Sequence, residues 1–266
     1  MSTSLGPFAL SLERLFFLIA FAMALLVGWM AGRRARVAVE PVLTQMLLLG
    51  MLSARIVFVL LYIEDYLKRP VSIFNIGDGG FVYEVGLAVA TAVGAFHTWR
   101  RQPIRAPLGA ALAAGLLTWG VTAGAVSVMH SSQPPLPTAQ LRNMQGHSES
   151  LADFPGQPMV VNLWATWCPP CRREMPVLAE AQQRESHIAF VFVNQGENQT
   201  AVEQYLRQEQ LELDNLLLDA HSTTMRALGT GGLPTTFFYS ASGELVDTHF
   251  GELSAATLKQ RLKQLQ

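Results

Sequence analysis

The sequence is constrained most by residues 160–176, which read VVNLWATWCPPCRREMP and contain the only two cysteines of the 266-residue chain. An apolar, β-branched run leads into Cys168, and a charged pattern typical of a helix follows Cys171. The spacing predicts that both sulfurs lie in the first turn of a helix, close enough to form a disulfide. Pro169 and Pro170 fit there, because N–H groups of the first turn have no partner within the helix.

The expected position of Cys168 near the helix N-cap favours thiol–disulfide chemistry. Unpaired N–H groups and the positive end of the helix dipole lower a thiol pKa from about 8.5 to between about 3.5 and 7.5. We therefore expect Cys168 to attack and Cys171 to resolve the mixed disulfide. A zinc site would need two more ligands at suitable spacing, and a c-type haem attachment would need histidine where the chain has Arg172. A purely structural disulfide gains little chain entropy from so short a loop.

Long apolar runs dominate the first 130 residues, whereas the rest has the composition of an ordinary α/β domain. A run of about twenty apolar residues can cross a bilayer as a helix. We expect four such spans, at residues 10–31, 42–63, 81–99 and 108–129. A cleavable signal peptide is the alternative for the first run, but its basic cluster follows the apolar run. The net charge of −1 gives no basic surface for nucleic acid.

Basic residues predict the orientation of these spans. The clusters at 33–36 and 100–105 follow the first and third spans, and the positive-inside rule assigns them to the cytoplasm. Lys68 and Arg69 lie in the loop at 64–80, but they are outnumbered. We therefore expect the N-terminus, this loop and everything after the fourth span to lie in the bacterial periplasm, where disulfide chemistry operates.

The second half resembles a known family in two segments. VNLWATWCPPCRREMP (161–176) resembles the active-site segment of thioredoxin-like proteins of the TlpA/ResA/CcmG type, which are membrane-tethered extracytoplasmic thiol-disulfide oxidoreductases. GGLPTTFF (231–238) resembles the cis-proline loop of that family and the strand after it. The resemblance implies that Pro234 is cis and packs against the dithiol, and that Leu233 presents backbone groups to an extended substrate. Trp167 is expected to shape the docking surface beside Pro169 and Pro170, with Trp164 in the core beneath.

An acidic residue next to the cysteine pair also has a counterpart in this family. Glu174 matches the acidic residue of ResA-like members, one turn beyond Cys171. It is expected to be partly buried, to have a raised pKa and to shuttle the Cys171 proton. The alternative is a solvated helix charge beside Arg172 and Arg173. Asn162 stands where thioredoxin carries a buried aspartate.

These segments set the expected architecture, a helical membrane domain of about four spans followed by an α/β thioredoxin-like domain. The expected domains are 1–130 and 138–266, joined by a proline-rich linker at 131–137. A β-hairpin within 136–154, turning at Gly146, precedes the sheet. Strands are expected at 159–164, 188–194, 216–218, 235–239 and 245–249, and helices at 169–184, 200–208, 223–228 and 255–265. Pro176 is expected to kink the first of these helices.

The membrane half resembles part of another family. SARIVFVL (53–60), IGDGG (76–80) and the Gly-Leu pair at 86–87 resemble the early helices of prolipoprotein diacylglyceryl transferase. Glu84 stands where that family has its functional histidine, and the later helices are missing, so the resemblance implies shared ancestry rather than shared activity. Arg55 and Glu84 mark either a lipid-headgroup or partner site, or an arginine that snorkels or pairs with Glu84.

The leading hypothesis is a membrane-anchored periplasmic thiol-disulfide oxidoreductase that acts as a reductase of protein disulfides. The direction of electron flow rests on the resemblance alone. The CPPC spacing does not set it, because reduction potentials in the superfamily range from about −270 to −120 mV. No metal and no cofactor beyond the Cys168–Cys171 dithiol is expected. The membrane half has no cysteine, so electrons must come from another protein, by resemblance a DsbD/CcdA-type membrane reductase. Expected substrates are periplasmic protein disulfides, such as an apocytochrome c haem motif, a copper-site assembly protein or damaged disulfides.

Two other functions stay open at this point. One is a disulfide oxidase or isomerase, which would act from the oxidised state and need a quinone-linked partner. The other is a lipid-modifying transferase with a redox appendage.

Overall fold

The computed structural model describes residues 2–5, 8–129, 136–137, 140–154 and 156–265. Residues 131–135 of the expected linker lie outside the described residues. The chain forms two compact units: one combines Met1–Leu10, Lys68–Gly79 and Gln133–Gln266, and the other combines Ser11–Leu67 and Gly80–Ser132.

Four long helices form at the positions of the four expected spans. The helices of this half are α1 (Leu12–Ala35), α2 (Glu40–Leu61), the short α3 (Ile63–Lys68), α4 (Tyr83–Arg100) and α5 (Arg105–Met129). Helix α1 packs along α5, and α2 packs along α4. At the α2–α4 crossing, a Cβ added to Gly50 would lie 2.9 Å from the carbonyl oxygen of Gly86. Small residues of this kind let two helix backbones approach closely in lipid.

Three of these helices are long and apolar enough to cross a membrane, within the residues that the structure describes. They comprise Leu15–Ala35, Glu40–Leu61 and Gln102–Ala125. Helix α4 forms at the third expected span, but it carries Glu84 in its first turn and His97 and Arg100 in its last. Many large apolar side chains on the long helices are exposed, including Leu60 at 62% and Leu117 at 70%. Such apolar helix surfaces are suited to contact with lipid.

A mixed β-sheet forms the centre of the unit that contains Gln133–Gln266. Its strands are β3 (Leu141–Asn143), β4 (Ser148–Glu149), β5 (Met159–Trp164), β6 (Ala189–Gln195), β7 (Leu216–Asp219), β8 (Thr235–Tyr239) and β9 (Leu245–Phe250), while β1 (Ser2–Leu5) and β2 (Phe8–Ser11) form a separate two-stranded sheet. The seven strands lie in the order β4-β3-β7-β6-β5-β8-β9. Strands β5, β6 and β7 are parallel, whereas β8 runs antiparallel to β5. The five expected strands and the hairpin are confirmed, with Gly146 at a positive φ of 82° in the turn.

The helices of this unit also match their expected positions. They are α6 (Pro169–Arg184), α7 (Gln199–Glu209), α8 (Thr223–Ala227) and α9 (Ala255–Leu262). Helix α9 ends at Leu262, three residues before the expected end. Helix α6 continues through Pro176 as one element, and the kink there stays a prediction.

The core of this unit lies on both faces of the sheet. Val160 and Trp164 of β5 join one apolar cluster with residues of α6, α7 and α9, and Val161 and Leu163 join a second cluster on the other face. Every residue of β5 and β6 is buried, because both faces of these strands are covered. Residues 165–168 therefore follow β5 at the carboxyl edge of two parallel strands, where α/β proteins commonly place functional loops.

Candidate active site

The two cysteines form a disulfide at the start of α6. The Sγ atoms of Cys168 and Cys171 are 2.06 Å apart, and the Cα atoms are 5.3 Å apart. Cys168 is the N-cap residue, and its sulfur accepts a hydrogen bond from the Cys171 N–H at 3.3 Å. Pro169 and Pro170 occupy the first turn, where they remove no helix hydrogen bond. Cys168 is 3% exposed and Cys171 is fully buried, so Cys168 is the less buried of the two residues.

The two tryptophans near the disulfide have different surroundings. Trp164, the last residue of β5, is fully buried, and its ring lies 5.4 Å from that of Tyr205, measured between centroids. This confirms the expected core position of Trp164. Trp167, which directly precedes Cys168, is 68% exposed. A large apolar side chain so exposed beside a disulfide is available to contact another protein.

The loop before β8 contains a cis peptide bond between Leu233 and Pro234, as the family resemblance implies. Pro234 is buried, and Leu233 is half-buried between the two apolar clusters of the sheet. The carbonyl oxygen of Pro234 accepts a hydrogen bond from the Gly251 N–H at 3.0 Å. This bond connects the loop to the end of β9.

Glu174 is buried one helical turn after Cys171. Its carboxylate accepts two hydrogen bonds: Asn162 Nδ2 donates to Oε1 at 2.8 Å, and the Leu253 N–H donates to Oε2 at 2.8 Å. Asn162 Nδ2 also donates to Thr236 Oγ1 at 2.9 Å. Glu174 thus belongs to a buried polar network that joins β5, β8 and the residues before α9.

Burial raises the pKa of Glu174 from 4.5 to about 8. The hydrogen bonds from Leu253 and Asn162 favour the carboxylate and oppose this rise, while the negative charge of Glu252 adds to it. A carboxyl group with a pKa near 8 can accept or release a proton close to neutral pH. Glu174 is fully buried, where partial burial was expected, and its pKa is shifted in the expected direction. Its role as a proton shuttle stays a prediction.

The two arginines beside Glu174 pair with other carboxylates. Arg172 Nη2 lies 2.5 Å from Glu209 Oε1, and Arg173 Nη2 lies 2.7 Å from Glu252 Oε2. The side chain of Arg172 is 50% exposed and that of Arg173 is 59% exposed. The alternative of Glu174 as a solvated charge beside them is wrong, because its carboxyl points into the core.

Sequence reasoning did not identify the partners of these groups. The Leu253 N–H and Thr236 are close to Glu174 and Asn162 only through the fold, and no local pattern marks them. Glu197 was also missed, although its side chain accepts hydrogen bonds from Thr166 in the segment before Cys168. An acidic residue just after a buried parallel strand, at the edge that carries the cysteines, is the signal that points to it.

Arg55 and Glu84 of the membrane half have different surroundings. Arg55 is 9% exposed, and its Nη1 donates to the Gly80 carbonyl oxygen at 2.9 Å. Its guanidinium also lies over the rings of Tyr66 and Phe81, at 5.3 and 5.7 Å from the centroids. Glu84 is exposed, and these two described residues form no ion pair. The expected alternative of an Arg55–Glu84 pair is therefore wrong, because Arg55 is held by a carbonyl oxygen and aromatic faces.

The described part of the chain has no group of three or more His, Cys, Asp or Glu side chains arranged to hold a metal ion.

The two halves of the chain match different families. Residues 131–262 match the Redoxin family model, and residues 1–126 match the model for prolipoprotein diacylglyceryl transferase. The chain is 29% identical to the thiol-disulfide oxidoreductase ResA of Geobacillus kaustophilus (strain HTA426) and 30% identical to ResA of Geobacillus thermodenitrificans (strain NG80-2). Each alignment spans 131 residues and covers 48% of this chain and 75% of the relative. Among solved structures, a thiol:disulfide interchange protein of the thioredoxin family from Chlorobium tepidum TLS is 27% identical, with a TM-score of 0.45, and the match covers 50% of this chain and 97% of that one.

Proposed function

Because this chain belongs, through its C-terminal half, to the ResA-type thiol-disulfide oxidoreductases, we propose that it is a membrane-anchored periplasmic reductase of protein disulfides. The observation that carries this proposal is the Cys168–Cys171 disulfide at the start of α6, with the buried carboxyl of Glu174 one turn further along. Disulfide exchange needs an attacking thiolate, a resolving thiol and a group that handles the proton. The three residues supply one of these each.

The reaction begins with the reduced protein. The Cys168 thiolate attacks one sulfur of the substrate disulfide, the substrate S–S bond breaks, and its other sulfur leaves as a thiolate. Cys171 then loses its proton and attacks Cys168 Sγ, which breaks the mixed disulfide and releases the second substrate sulfur. Two electrons have passed to the substrate, and the protein ends with the Cys168–Cys171 disulfide.

We assign the proton of Cys171 to Glu174. Both residues are fully buried on consecutive turns of α6, so solvent cannot readily take the proton. A carboxylate with a pKa of about 8 has a proton affinity close to that of an ordinary thiol, for which the reference pKa is about 8.5. Proton transfer between them is therefore nearly balanced in energy, as general base catalysis requires.

The substrate is proposed to dock between two segments. Trp167, with Pro169 and Pro170, borders Cys168 on one side, and Leu233 with Pro234 forms the other. Backbone groups of Leu233 would pair with an extended substrate segment as a short added strand. The exposed Trp167 would supply apolar contact area.

The membrane half is proposed to anchor and orient the redox domain. We divide the chain into a membrane domain at 1–130, a linker at 131–137 and a redox domain at 138–266, with both ends in the periplasm by the positive-inside rule. Residues 1–130 contain no cysteine, so the donor must bring its own dithiol, and a DsbD/CcdA-type membrane reductase fits that need. Lipid transfer is not proposed, because Glu84 replaces the histidine of the transferase family.

The in vivo redox state of the cysteine pair tests the direction of electron flow. Cells are acid-quenched and alkylated with a maleimide of high mass, and the full-length protein is resolved by size. A reductase is expected to be trapped mostly with two alkylated thiols, and this fraction is expected to fall when the membrane donor is deleted. A pair that stays oxidised in growing cells would contradict the reductase and favour an oxidase.

Reporter fusions test the orientation separately. Alkaline phosphatase fused after residue 266 is expected to be active, since it needs an oxidising compartment. A fusion within the 100–105 loop is expected to be inactive and serves as the matched control. The opposite pattern would place the redox domain in the cytoplasm and overturn the proposal.

A further inference from the structure

Glu197 connects two loops at the carboxyl edge of the sheet. Its Oε2 accepts hydrogen bonds from the Thr166 N–H at 2.7 Å and from Asn194 Nδ2 at 2.7 Å. Its Oε1 accepts a third hydrogen bond from the Thr166 hydroxyl at 2.5 Å. Three donors thus converge on one carboxylate, which has only acceptor atoms and so suits this arrangement.

The carboxylate is attached to a rigid part of the fold. Asn194 is fully buried at the end of β6, where it lies in register with Trp164 at the end of β5. Glu197 follows three residues later, so its side chain is fixed by the sheet on one side and holds Thr166 on the other. Thr166 lies two residues before Cys168 and directly before Trp167. Glu197 therefore sets the backbone position of the segment that presents the attacking sulfur.

We call the three hydrogen bonds that Glu197 accepts from Thr166 and Asn194 the Glu197 clamp. The contribution of this clamp to holding residues 165–168 in place must differ between the two redox states. In the disulfide form, the S–S bond ties Cys168 to α6 covalently. When that bond opens, Cys168 keeps three hydrogen bonds: its N–H donates to the Ala165 carbonyl at 3.2 Å, its carbonyl accepts from the Arg172 N–H at 3.1 Å, and its sulfur accepts from the Cys171 N–H at 3.3 Å. The bonds of Thr166 to Glu197 are shorter and charge-assisted. They restrain the segment independently of the disulfide, so their share of the restraint grows when that bond is open.

We propose that Glu197 is a positioning residue that holds residues 165–168 in reactive geometry when the Cys168–Cys171 bond is open. This inference deepens the proposed function and rests on it for its catalytic consequence. Glu197 acts through Thr166, to which its carboxylate is hydrogen-bonded. Its role is to keep the Cys168 thiolate at the N-cap of α6 and Trp167 at the docking surface while the protein is reduced.

The test compares full-length variants in detergent. Glu197→Ala removes all three hydrogen bonds, and Thr166→Val removes only the hydroxyl bond. Glu197→Gln keeps the geometry without the charge, because an amide oxygen can accept from Thr166 N–H and Asn194 while its nitrogen donates to the Thr166 hydroxyl. Glu203→Ala is the matched control, because it removes a carboxylate on α7 whose nearest cation is Arg207, at 3.9 Å.

Two measurements report on the reduced protein. The first is the rate of Cys168 alkylation by iodoacetamide from pH 5 to 9, followed by peptide mass spectrometry. The second is backbone hydrogen exchange in the peptide that contains residues 165–168, in both redox states. For Glu197→Ala we expect the alkylation midpoint to move to higher pH and exchange of the reduced form to accelerate about tenfold, the size expected from losing charge-assisted hydrogen bonds. Exchange in the disulfide form should change much less, and Glu203→Ala should match the wild type.

Insulin disulfide reduction adds the kinetic comparison. We expect kcat/KM to fall about tenfold in Glu197→Ala, and by less than that in Glu197→Gln and Thr166→Val. Equal acceleration of exchange in both redox states, with unchanged alkylation and kinetics, would show a merely structural residue and overturn the proposal. An alkylation midpoint that moves to lower pH in both Glu197→Ala and Glu197→Gln would also overturn the proposal. The negative charge of Glu197, and not its hydrogen-bond geometry, would then act on Cys168.

The outcomes also separate this inference from the proposed function. If the wild type does not reduce insulin but the variants differ from it in alkylation and exchange as expected, the proposed reductase function is refuted. The positioning role of Glu197 is then retained. If Glu197→Ala does not fold, Thr166→Val carries the same redox-dependent comparison with a smaller effect.

Discussion

The buried carboxyl of Glu174 makes the stability of the redox domain depend on pH in a specific direction. Its pKa is raised from 4.5 to about 8 by burial, so the folded protein keeps this proton at a pH where the unfolded chain has lost it. Between these two values the folded state binds more protons than the unfolded state, and stability falls as pH rises. Below 4.5 both states are protonated, and above about 8 both are ionised, so the dependence is confined to this interval.

The substitution Glu174→Gln removes this titration while keeping the shape of the side chain. The amide oxygen can accept from the Leu253 N–H, and its nitrogen can donate to Asn162 Oδ1, which has no hydrogen-bond partner among the described residues. Relative to this variant, the wild type should lose about 1.4 kcal/mol of unfolding free energy per pH unit across the interval. Over the range from 4.5 to about 8 the total is on the order of 5 kcal/mol, which is an upper limit.

Pulse proteolysis in urea measures this difference on the full-length protein in detergent. The fraction of the redox domain that survives a brief protease pulse gives its unfolding midpoint at each pH from 5 to 9. The curves of the wild type and Glu174→Gln should diverge steadily up to about pH 8 and then run parallel. Glu212→Gln, which changes an exposed carboxylate, should follow the wild type throughout. Parallel curves for wild type and Glu174→Gln between pH 5 and 8 would refute the reasoning.

Three further predictions follow from other contacts. Asn162→Ala removes a donor to the Glu174 carboxylate, so the pKa of Glu174 should rise further. The urea unfolding midpoint of this variant should therefore keep falling beyond pH 8, and a midpoint that stops falling at the same pH as in the wild type would contradict this. Trp167→Ala should leave the thermal midpoint nearly unchanged, because the side chain is exposed, but should raise the KM for insulin and not for a small aromatic disulfide; equal losses on both would exclude a docking role. Gly50→Leu should separate α2 from α4 and destabilise the helical unit by about 1–3 kcal/mol in a detergent melt, since its Cβ would lie 2.9 Å from the Gly86 carbonyl; an unchanged melt would argue against this close crossing.

The local parts of the site were predictable because local chemistry determines them. A buried strand followed by two cysteines three apart, with prolines between, permits few structures other than a strand, a short loop and a helix start. The sulfur of Cys168 does cap α6, and the strands and helices after it fall within a few residues of their expected bounds. Helices α1, α2 and α5 were predictable for a similar reason, since apolar length indicates a span, whereas α4 forms a helix that is less apolar.

The remaining contacts depend on residues far apart in the chain. The Leu253 N–H that donates to Glu174 is 79 residues away, and Thr166 is 31 residues from Glu197. Side-chain periodicity does not predict contacts between residues so far apart in the chain. It also gives no information about which backbone N–H groups will donate to a buried side chain. Arg55 shows the same limit, because its place inside a span gave no sign of the Gly80 carbonyl oxygen and the two aromatic rings that it contacts.

The single disulfide has a practical consequence for finding interaction partners. The chain has only two cysteines, and both are used in this one bond. Replacing Cys171 with serine leaves one thiol in the whole polypeptide, so any covalent adduct captured in cells must be joined through Cys168. A band on a gel that disappears on reduction would then contain the attached protein, which its mass would identify. That protein is either a substrate trapped before release or the donor that reduces the Cys168–Cys171 disulfide.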